Sequence, residues 1–285
     1  PACKAVDTFT DKFDHSGTPT NDGTVSAGAV ASLQTMANFL EIGYWNNGTG
    51  LRHNLGSTGA AANNGVLHYN VSGFGNLQYG GGSDSNGITA ARAKLVKDAF
   101  DVYSAVLGIE FVETTSTDDS LVDFFFSDNK SGAYAGSTRY SDGTIYYSYI
   151  NVDEGWSGGN ASYDSYTLQT IFHEIGHALG LGHQGAYNGF AIYVDDADFQ
   201  LDSWQASMMS YFWQTQNTAI NATTDYLQTP MAVDWLALES IYGGYGYGVS
   251  NAFLGDTVYG FNTNISAEES EIWNSYADYA DRTAS

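Results

Sequence analysis

The interpretation of this 285-residue chain begins from one stretch, His173-Glu174-Ile175-Gly176-His177-Ala178-Leu179-Gly180-Leu181-Gly182-His183. It has the spacing H-E-x-x-H-x-x-G-x-x-H, in which His173 and His177 stand four residues apart. On an α-helix such a pair lies on one face, one turn apart, so both imidazoles can reach the same point. Because imidazole nitrogens are common zinc ligands, the spacing predicts a zinc site on a helix.

The rest of the motif extends this site. Gly180 can adopt a positive φ, which ends the helix and turns the chain so that His183 becomes a third ligand. Three protein ligands leave the fourth position open, as in catalytic zinc sites. Glu174 lies beside the metal and can take a proton from water that the metal activates. A bare H-E-x-x-H arises by chance more often than the longer pattern, which therefore favours a metal-dependent function.

The composition limits the classes of partner. A hydrophobic fraction of 43% and an aromatic fraction of 15% are sufficient for a large core. The net charge of −23 disfavours nucleic acid and anionic membrane surfaces, because both would repel the protein. It fits an extracellular protein, a protein that binds calcium through its carboxylates, or adaptation to salty water, and the sequence does not choose among these. No apolar run approaches the ~18 residues that span a bilayer.

The N-terminal region gives fewer signals. Cys3 is the single cysteine, which rules out an intrachain disulfide. Its thiolate could cap the zinc in a latent form, but no motif surrounds it, so a free thiol in a mobile arm is the favoured interpretation. No signal-peptide pattern opens the chain, so we expect any targeting segment to have been removed or to lie elsewhere.

Hydrophobic periodicity predicts an α+β or α/β fold with a mixed sheet covered by helices. The predicted helices are 25–44, 89–107, 166–179 and 231–241. The predicted strands are 66–71, 109–113, 121–126, 133–140 and 144–152. Thr229 and Pro230 are expected to begin the last helix and Gly243 to end it. Ser165 is expected to cap the zinc helix, whose apolar stripe excludes His173 and His177 and so turns them towards a cleft.

Two features follow the zinc motif. An acidic loop contains Asp195, Asp196, Asp198 and Asp202. It could hold calcium, although a solvated surface loop is the favoured interpretation. About 25 residues after the motif comes Ser207-Met208-Met209-Ser210-Tyr211, a pair of methionines in polar surroundings.

The zinc motif and the stretch 207–211 together resemble the metzincin clan of metalloendopeptidases, in which the second stretch is similar to the Met-turn. The resemblance implies that Met209 lies beneath the zinc as a hydrophobic floor without binding it. It also implies that Tyr211 is an additional zinc ligand that swings away and binds the oxyanion during the reaction.

Within the clan the chain is most similar to the serralysin family. Residues 230–234 (PMAVD) leading to 241–243 (IYG) resemble that family's closing helix, residues 185–188 (GAYN) fit it, and 255–262 (GDTVYGFN) resemble the start of its C-terminal domain. The resemblance implies a secreted, extracellular and monomeric zinc metalloendopeptidase that acts on proteins and peptides, with no nucleic-acid or membrane partner. Its α+β fold would be a twisted mixed sheet with long helices and a zinc cleft.

The site residues that this resemblance implies are Glu174 and Tyr211 as catalytic groups, His173, His177, His183 and Tyr211 as zinc ligands, and Met209 as the structural Met-turn residue. Catalytic Zn²⁺ would be accompanied by structural Ca²⁺, bound mainly by a C-terminal domain. An extended substrate would pair with an edge strand at 133–140. Pocket walls would come from residues 211–213 and the loop before them.

Two departures from the family pattern matter. Serralysins usually carry proline after the third histidine, where this chain has Gln184. They also continue into a calcium-binding β-roll, which this sequence lacks, so we expect either truncation, which is favoured, or a naturally short member. The expected domains are an arm (1–20), a catalytic domain (21–254) and the start of, or linker to, a β-roll (255–285). Ser266 and Glu269 are spaced as a capping box, so 266–279 could instead form a tail helix.

Two other functions compete with a serralysin-like protease. A zinc-stabilised binding protein that has lost activity would be expected to have a damaged base or ligand, yet Glu174 and the three histidines are intact. An astacin-type protease is disfavoured by the single cysteine, since that family relies on disulfides. It is also disfavoured by Gln184, which stands where that family has glutamate.

Overall fold

The computed structural model describes residues 4–7, 28–45, 48–256, 258, 264 and 271–273, with only the backbone at 4–7. Its helices are α1 (Leu33–Asn38), α2 (Ala90–Leu107), α3 (Tyr166–Ala178), α4 (Tyr193–Asp196) and α5 (Ala232–Tyr242). Its strands are β1 (Lys4–Asp7), β2 (Val66–Asn70), β3 (Glu110–Glu113), β4 (Phe124–Ser127), β5 (Ala133–Arg139) and β6 (Ile145–Val152). No helix among these residues is long and apolar enough to cross a membrane.

The six strands form one mixed sheet in the order β1-β5-β6-β4-β2-β3. The strands β3, β2, β4 and β6 run parallel to one another, whereas β5 is antiparallel to both β6 and β1. The predicted mixed sheet is thereby confirmed, as are the five predicted strands, although the one predicted at 121–126 begins at Phe124 and ends at Ser127. The hairpin between β5 and β6 turns at Gly143, which has a φ of 86°.

One strand was not expected from the sequence. β1 pairs antiparallel with β5, with Lys4 opposite Arg139 and Asp7 opposite Ser137. The stretch 133–140 was predicted to be an edge strand, but β1 pairs with its C-terminal half, so only the N-terminal half lies at the edge of the sheet. A strand of four residues is too short to produce a detectable period, which is why the pattern missed it.

Both faces of the sheet are covered. Phe124 and Phe126 point into the main core with α2 and α3, while Phe125 joins a second cluster on the other face with Phe74, Leu77, Val122, Tyr147 and Tyr149. Alternate residues of a strand point to opposite faces, so a strand with three consecutive phenylalanines needs apolar cover on both sides. The prediction that this strand is too apolar to be exposed is confirmed.

The zinc helix α3 lies within the core rather than at its edge. All its residues from 167 to 178 are buried, so the prediction of one buried stripe with His173 and His177 outside it was wrong in the extent of burial. The helix packs against β5, β6 and α2, and these neighbours enclose it on several sides. His177 lines a small cavity with Trp45 and Leu51.

The observed helix starts correct two predictions. The first helix begins at Leu33, where Ser32 Oγ accepts a hydrogen bond from Thr35 N, and continues from Phe39 to Gly43 as a π-helix. Residues 28–32, predicted to be helical, are not. The last helix begins at Ala232 instead of at Thr229 and Pro230, because the carboxylate of Asp234 accepts a bond from Met231 N and fixes the first turn there. The expected stop at Gly243 is confirmed.

Several predictions lie outside the described residues. They are the helical turn at 11–13, the role of Cys3, most of the tail helix at 266–279 and most of the stretch 255–262.

Candidate metal centre

Three histidines meet at the C-terminal end of α3. Ser165 caps the helix as predicted, because its hydroxyl accepts a bond from Leu168 N at 3.2 Å. His173 and His177 follow on one face, and Gly180 turns the chain with a φ of 107° so that His183 comes back to them. A side chain at Gly180 would collide with the carbonyl oxygen of Leu51. The predicted helix, stop and turn are confirmed.

The backbone fixes which nitrogen of each histidine faces the others. His173 Nδ1 lies 2.9 Å from Met208 O, His177 Nδ1 lies 2.7 Å from Leu181 O, and His183 Nδ1 lies 2.9 Å from Tyr187 O. A carbonyl oxygen only accepts, so each Nδ1 carries the proton and each Nε2 presents a lone pair. This is the arrangement in which metal-binding histidines are held.

The inward nitrogens suit a metal ion. Nε2 of His177 and Nε2 of His183 are 3.0 Å apart, and one ligand atom from each of the three histidines lies within 4.8 Å of the others. Two lone pairs at that distance repel each other unless a cation lies between them. All three side chains are at least 92% buried, and among the described residues no other group of histidine, cysteine or acidic side chains has this geometry. The donor set fits zinc.

Met209 lies against the zinc helix at Gly176. A β-carbon at Gly176 would meet Met209 Sδ at 2.8 Å, so the glycine of the H-E-x-x-H motif makes room for the methionine. The Met-turn is held from α5, where Asp234 accepts bonds from Ser207 Oγ at 2.6 Å and Met208 N at 2.7 Å. Burial raises the pKa of Asp234 to about 6, and these hydrogen bonds partly offset that rise.

Gln184 joins the Met-turn to α1 at the position where serralysins usually have proline. Its backbone N–H donates to Met209 O at 3.3 Å, and its amide Nε2 donates to Met36 O at 3.2 Å. Proline could form neither bond, because it lacks the N–H and the amide.

Glu174 and Tyr211 lie close to the histidines. Glu174 is fully buried on α3 between the first two of them. The ring of Tyr211 lies 4.5 Å from the ring of His183 and 6.5 Å from that of His173, and its hydroxyl accepts a bond from Gly189 N at 3.1 Å. The structure thus brings Tyr211 to the three histidines and packs Met209 on the helix that carries the buried Glu174.

The acidic loop divides into exposed and buried parts. Asp196 Oδ2 accepts a bond from Ile192 N and Asp198 Oδ2 from Ala186 N, so both carboxylates brace the loop. Asp202 is fully buried, which the prediction of a solvated loop did not anticipate. It accepts hydrogen bonds from the hydroxyl of Tyr187, whose carbonyl holds His183. Asp202, Tyr187 and Asp234 are the site residues that sequence reasoning missed.

The sequence that forms this site is similar to the sequences of known metallopeptidases. The Matrixin (peptidase M10) family matches residues 77–210. Metallopeptidase AprA of Pseudomonas marginalis is 30% identical over 286 residues, covering 94% of this chain and 55% of AprA. Serralysin C of Dickeya chrysanthemi is 38% identical over 139 residues, covering 48% of this chain and 27% of serralysin C.

The chain therefore matches about half of AprA's length, and a smaller part of serralysin C. Among solved structures, high choriolytic enzyme 1, a hatching enzyme zinc-protease from Oryzias latipes, is 14% identical with a TM-score of 0.37. That alignment covers 71% of this chain and 96% of the other, and the score is too low to add to the fold described above.

Proposed function

The chain carries a metzincin catalytic domain of the serralysin family, and from that premise we propose that it is a zinc metalloendopeptidase that hydrolyses peptide bonds within proteins and peptides. One observation supports this most directly. The ligand nitrogens of His173, His177 and His183 converge, their Nδ1 atoms are bound to backbone carbonyls, and the helix that carries the first two also carries the buried Glu174.

In this proposal, His173, His177 and His183 would hold zinc, which when bound would supply Lewis acidity to the scissile carbonyl and to the attacking water. Glu174 takes the proton of that water as it attacks and then passes it to the leaving amine. Burial of Glu174 excludes competing solvent from the carboxylate, which strengthens its interaction with reacting groups. Proton transfer by a positioned carboxylate contributes about 10²–10⁴-fold in rate.

Tyr211 has the second catalytic role. We assign it as an additional zinc ligand in the resting enzyme and as the hydrogen-bond donor to the oxyanion during the reaction. Its position 4.5 Å from the ring of His183 supports this assignment, as does its phenol, which can donate to developing negative charge. Met209 is assigned as the floor of the site, and its packing on Gly176 supports that role.

The test of the proposed function is Glu174→Gln. The variant should bind zinc as the wild type does and should lose casein and peptide cleavage, because glutamine cannot accept the proton. Glu239→Gln on α5 is the matched control and should remain active, since Glu239 accepts its bond from Val249 N, away from the site. Proteolysis by Glu174→Gln, or proteolysis by the wild type that survives complete removal of zinc, would overturn the proposal.

We also propose how the substrate binds. An extended peptide would form main-chain hydrogen bonds with β5, whose residues Ala135 and Gly136 line the same small cavity as His177. Because β1 pairs with the other half of β5, a long substrate would have to displace β1 or bind beside it. Cleavage-site mapping on a mixed peptide library would define the residues accepted on each side of the bond.

The remaining assignments rest on the family resemblance and the net charge. We propose a secreted, extracellular and monomeric enzyme with no nucleic-acid or membrane partner, organised as an arm (1–20), a catalytic domain (21–254) and a segment leading to a C-terminal domain (255–285). The charge of −23 supports the exclusion of nucleic acid. Calcium would stabilise the whole protein, mainly through the C-terminal domain, and melting with and without Ca²⁺ tests this.

A further inference from the structure

We infer that Tyr187, held by the buried carboxylate of Asp202, is a positioning residue that fixes His183 and Tyr211 relative to each other. The inference rests on the proposed function, because it assigns a role toward the same zinc centre. Tyr187 follows the third histidine by four residues and is 95% buried. It contacts His183 through its carbonyl oxygen and ring, and the backbone of Tyr211 through its hydroxyl.

The backbone and ring of Tyr187 hold His183. Its carbonyl oxygen accepts the bond from His183 Nδ1 at 2.9 Å. Its ring lies nearly parallel to the imidazole, at 5.7 Å between centroids and 27° between planes. The histidine is therefore fixed in both tautomer and tilt by one residue.

The hydroxyl of Tyr187 holds Tyr211. Tyr211 N donates to Tyr187 Oη at 3.3 Å, and the two rings lie 4.7 Å apart. The phenol of Tyr211 accepts from Gly189 N, so its backbone and its hydroxyl are both attached to the segment that follows His183. A phenol that moves between metal and oxyanion needs a fixed backbone as its pivot, and the Tyr187 hydroxyl supplies that fixed point.

Asp202 orients the hydroxyl. Its Oδ1 and Oδ2 lie 3.0 and 3.2 Å from Tyr187 Oη, and the side chain is fully buried. Because the Tyr211 N–H can only donate, the hydroxyl accepts it with a lone pair, and its own proton points to the carboxylate of Asp202 when that group is ionised. Burying a carboxylate costs folding free energy, so a carboxylate at this position would not be expected in a purely apolar core. Without it, the hydroxyl could rotate and lose the bond to Tyr211.

The experiment compares Tyr187→Phe with Tyr193→Phe. Tyr193 belongs to the same aromatic cluster and is also buried, but its hydroxyl bonds to Gln200 O and Asn217 Oδ1, away from the histidines. We expect both variants to retain zinc, because the carbonyl of residue 187 remains. For Tyr187→Phe we expect kcat to fall about tenfold with KM little changed, and for Tyr193→Phe we expect both constants to stay near wild type.

A second readout does not depend on turnover. Phenolate bound to Cu²⁺ gives a charge-transfer absorption, so copper-substituted protein reports whether Tyr211 reaches the metal, with Tyr211→Phe as the blank. The band should weaken in Tyr187→Phe and in Asp202→Leu. It should persist in Tyr193→Phe and in Asp202→Asn, which keeps an acceptor oxygen for the hydroxyl.

An unchanged band and an unchanged kcat in Tyr187→Phe would overturn the inference. Equal losses in the two phenylalanine variants would also overturn it, since they would indicate only general packing. Absence of the band from the wild type would overturn it as well, because Tyr211 would then lie outside the centre. If the wild type shows the band but cleaves no peptide, the proposed function fails while the effect of Tyr187 on the band still tests the positioning role.

Discussion

His53 is buried beneath the last turn of the zinc helix and should make the fold sensitive to acid. Its Nε2 donates to Ala178 O at 3.0 Å, so its unprotonated Nδ1 faces Asp123 Oδ1 at 3.9 Å. Burial lowers the pKa of His53 to about 4 and raises the pKa of Asp123 to about 6. His53 is charged only below the pH at which Asp123 has become neutral, so this contact does not act as an ion pair.

The sign of the pH effect follows from the lowered pKa of His53. Between pH 6.5 and about 4 the unfolded chain binds a proton at His53 and the folded chain does not, so stability decreases as pH falls through this window. His53→Gln keeps a donor for Ala178 O and does not titrate. Relative to this variant, the wild type should lose up to about 3 kcal/mol between pH 6.5 and 4.

The measurement is denaturant unfolding of both proteins at each pH, with chelator present so that metal release does not contribute. Asp123 titrates in the opposite sense, which is why the difference between the two proteins, rather than either curve alone, carries the test. A difference that stays constant over the window would contradict a neutral buried His53.

At the scale of single residues, the sequence predicts the groups whose chemistry depends on local spacing. The three histidines, Glu174 and Gly180 lie within eleven residues, so one helix and the turn at Gly180 bring the histidines together. Tyr187, Asp202 and Asp234 act through contacts between separate segments. A sequence pattern carries no sign of which aspartate in an acidic loop becomes buried, because that depends on what packs over it.

At the scale of elements, periodicity predicts the helices and strands but not all of their ends. The last helix has a proline at a favourable start position, yet it begins two residues later because Asp234 reaches back to Met231 N. The first helix loosens into a π-helix at Phe39 because its end must fit the zinc segment, where Gly182 N donates to Leu40 O. In both cases a tertiary or side-chain bond outweighs a weak local propensity.

Asp234 gives α5 a role in the metal centre that can be tested. It accepts bonds from Ser207, Met208 and Met231, and Met208 O in turn accepts the proton of His173. Asp234→Ala leaves buried donors unsatisfied, which should cost about 3 kcal/mol or more of unfolding free energy. Loosening Met208 should also weaken zinc binding about tenfold.

Zinc affinity by chelator competition and unfolding of the zinc-free protein separate the two effects of Asp234→Ala. Glu239→Ala on the same helix is the control, because Glu239 binds Val249 N and does not contact the Met-turn. This control should lose some stability and keep its zinc affinity. Equal zinc affinity in the two variants would show that Asp234 supports the fold without supporting the site.

At the scale of the whole molecule, the order of strands is the feature that sequence reasoning could not supply. Helix and strand succession predicts a mixed sheet, but the order β1-β5-β6-β4-β2-β3 depends on which strands pair over long separations. The most distant pairing, between β1 and β5, joins the start of the chain to the strand beside the zinc helix. The N-terminal strand β1 thus pairs with the strand that packs against the zinc helix.

That pairing predicts an effect of the N-terminal segment on activity. If an extended substrate pairs with β5, then β1 competes for the same main-chain groups. Only molecules with β1 detached bind the substrate, so the apparent KM equals the intrinsic KM divided by the fraction of such molecules. Deleting residues 1–7 should lower KM for long peptides, about tenfold if β1 is detached in roughly one molecule in ten, and leave kcat unchanged.

Deleting residues 1–3 keeps β1 and should change neither constant. A dipeptide-sized substrate, too short to reach the paired half of β5, should give the same KM in all three proteins. An unchanged or higher KM for long peptides after deletion of residues 1–7 would show that the substrate does not use the edge that β1 covers.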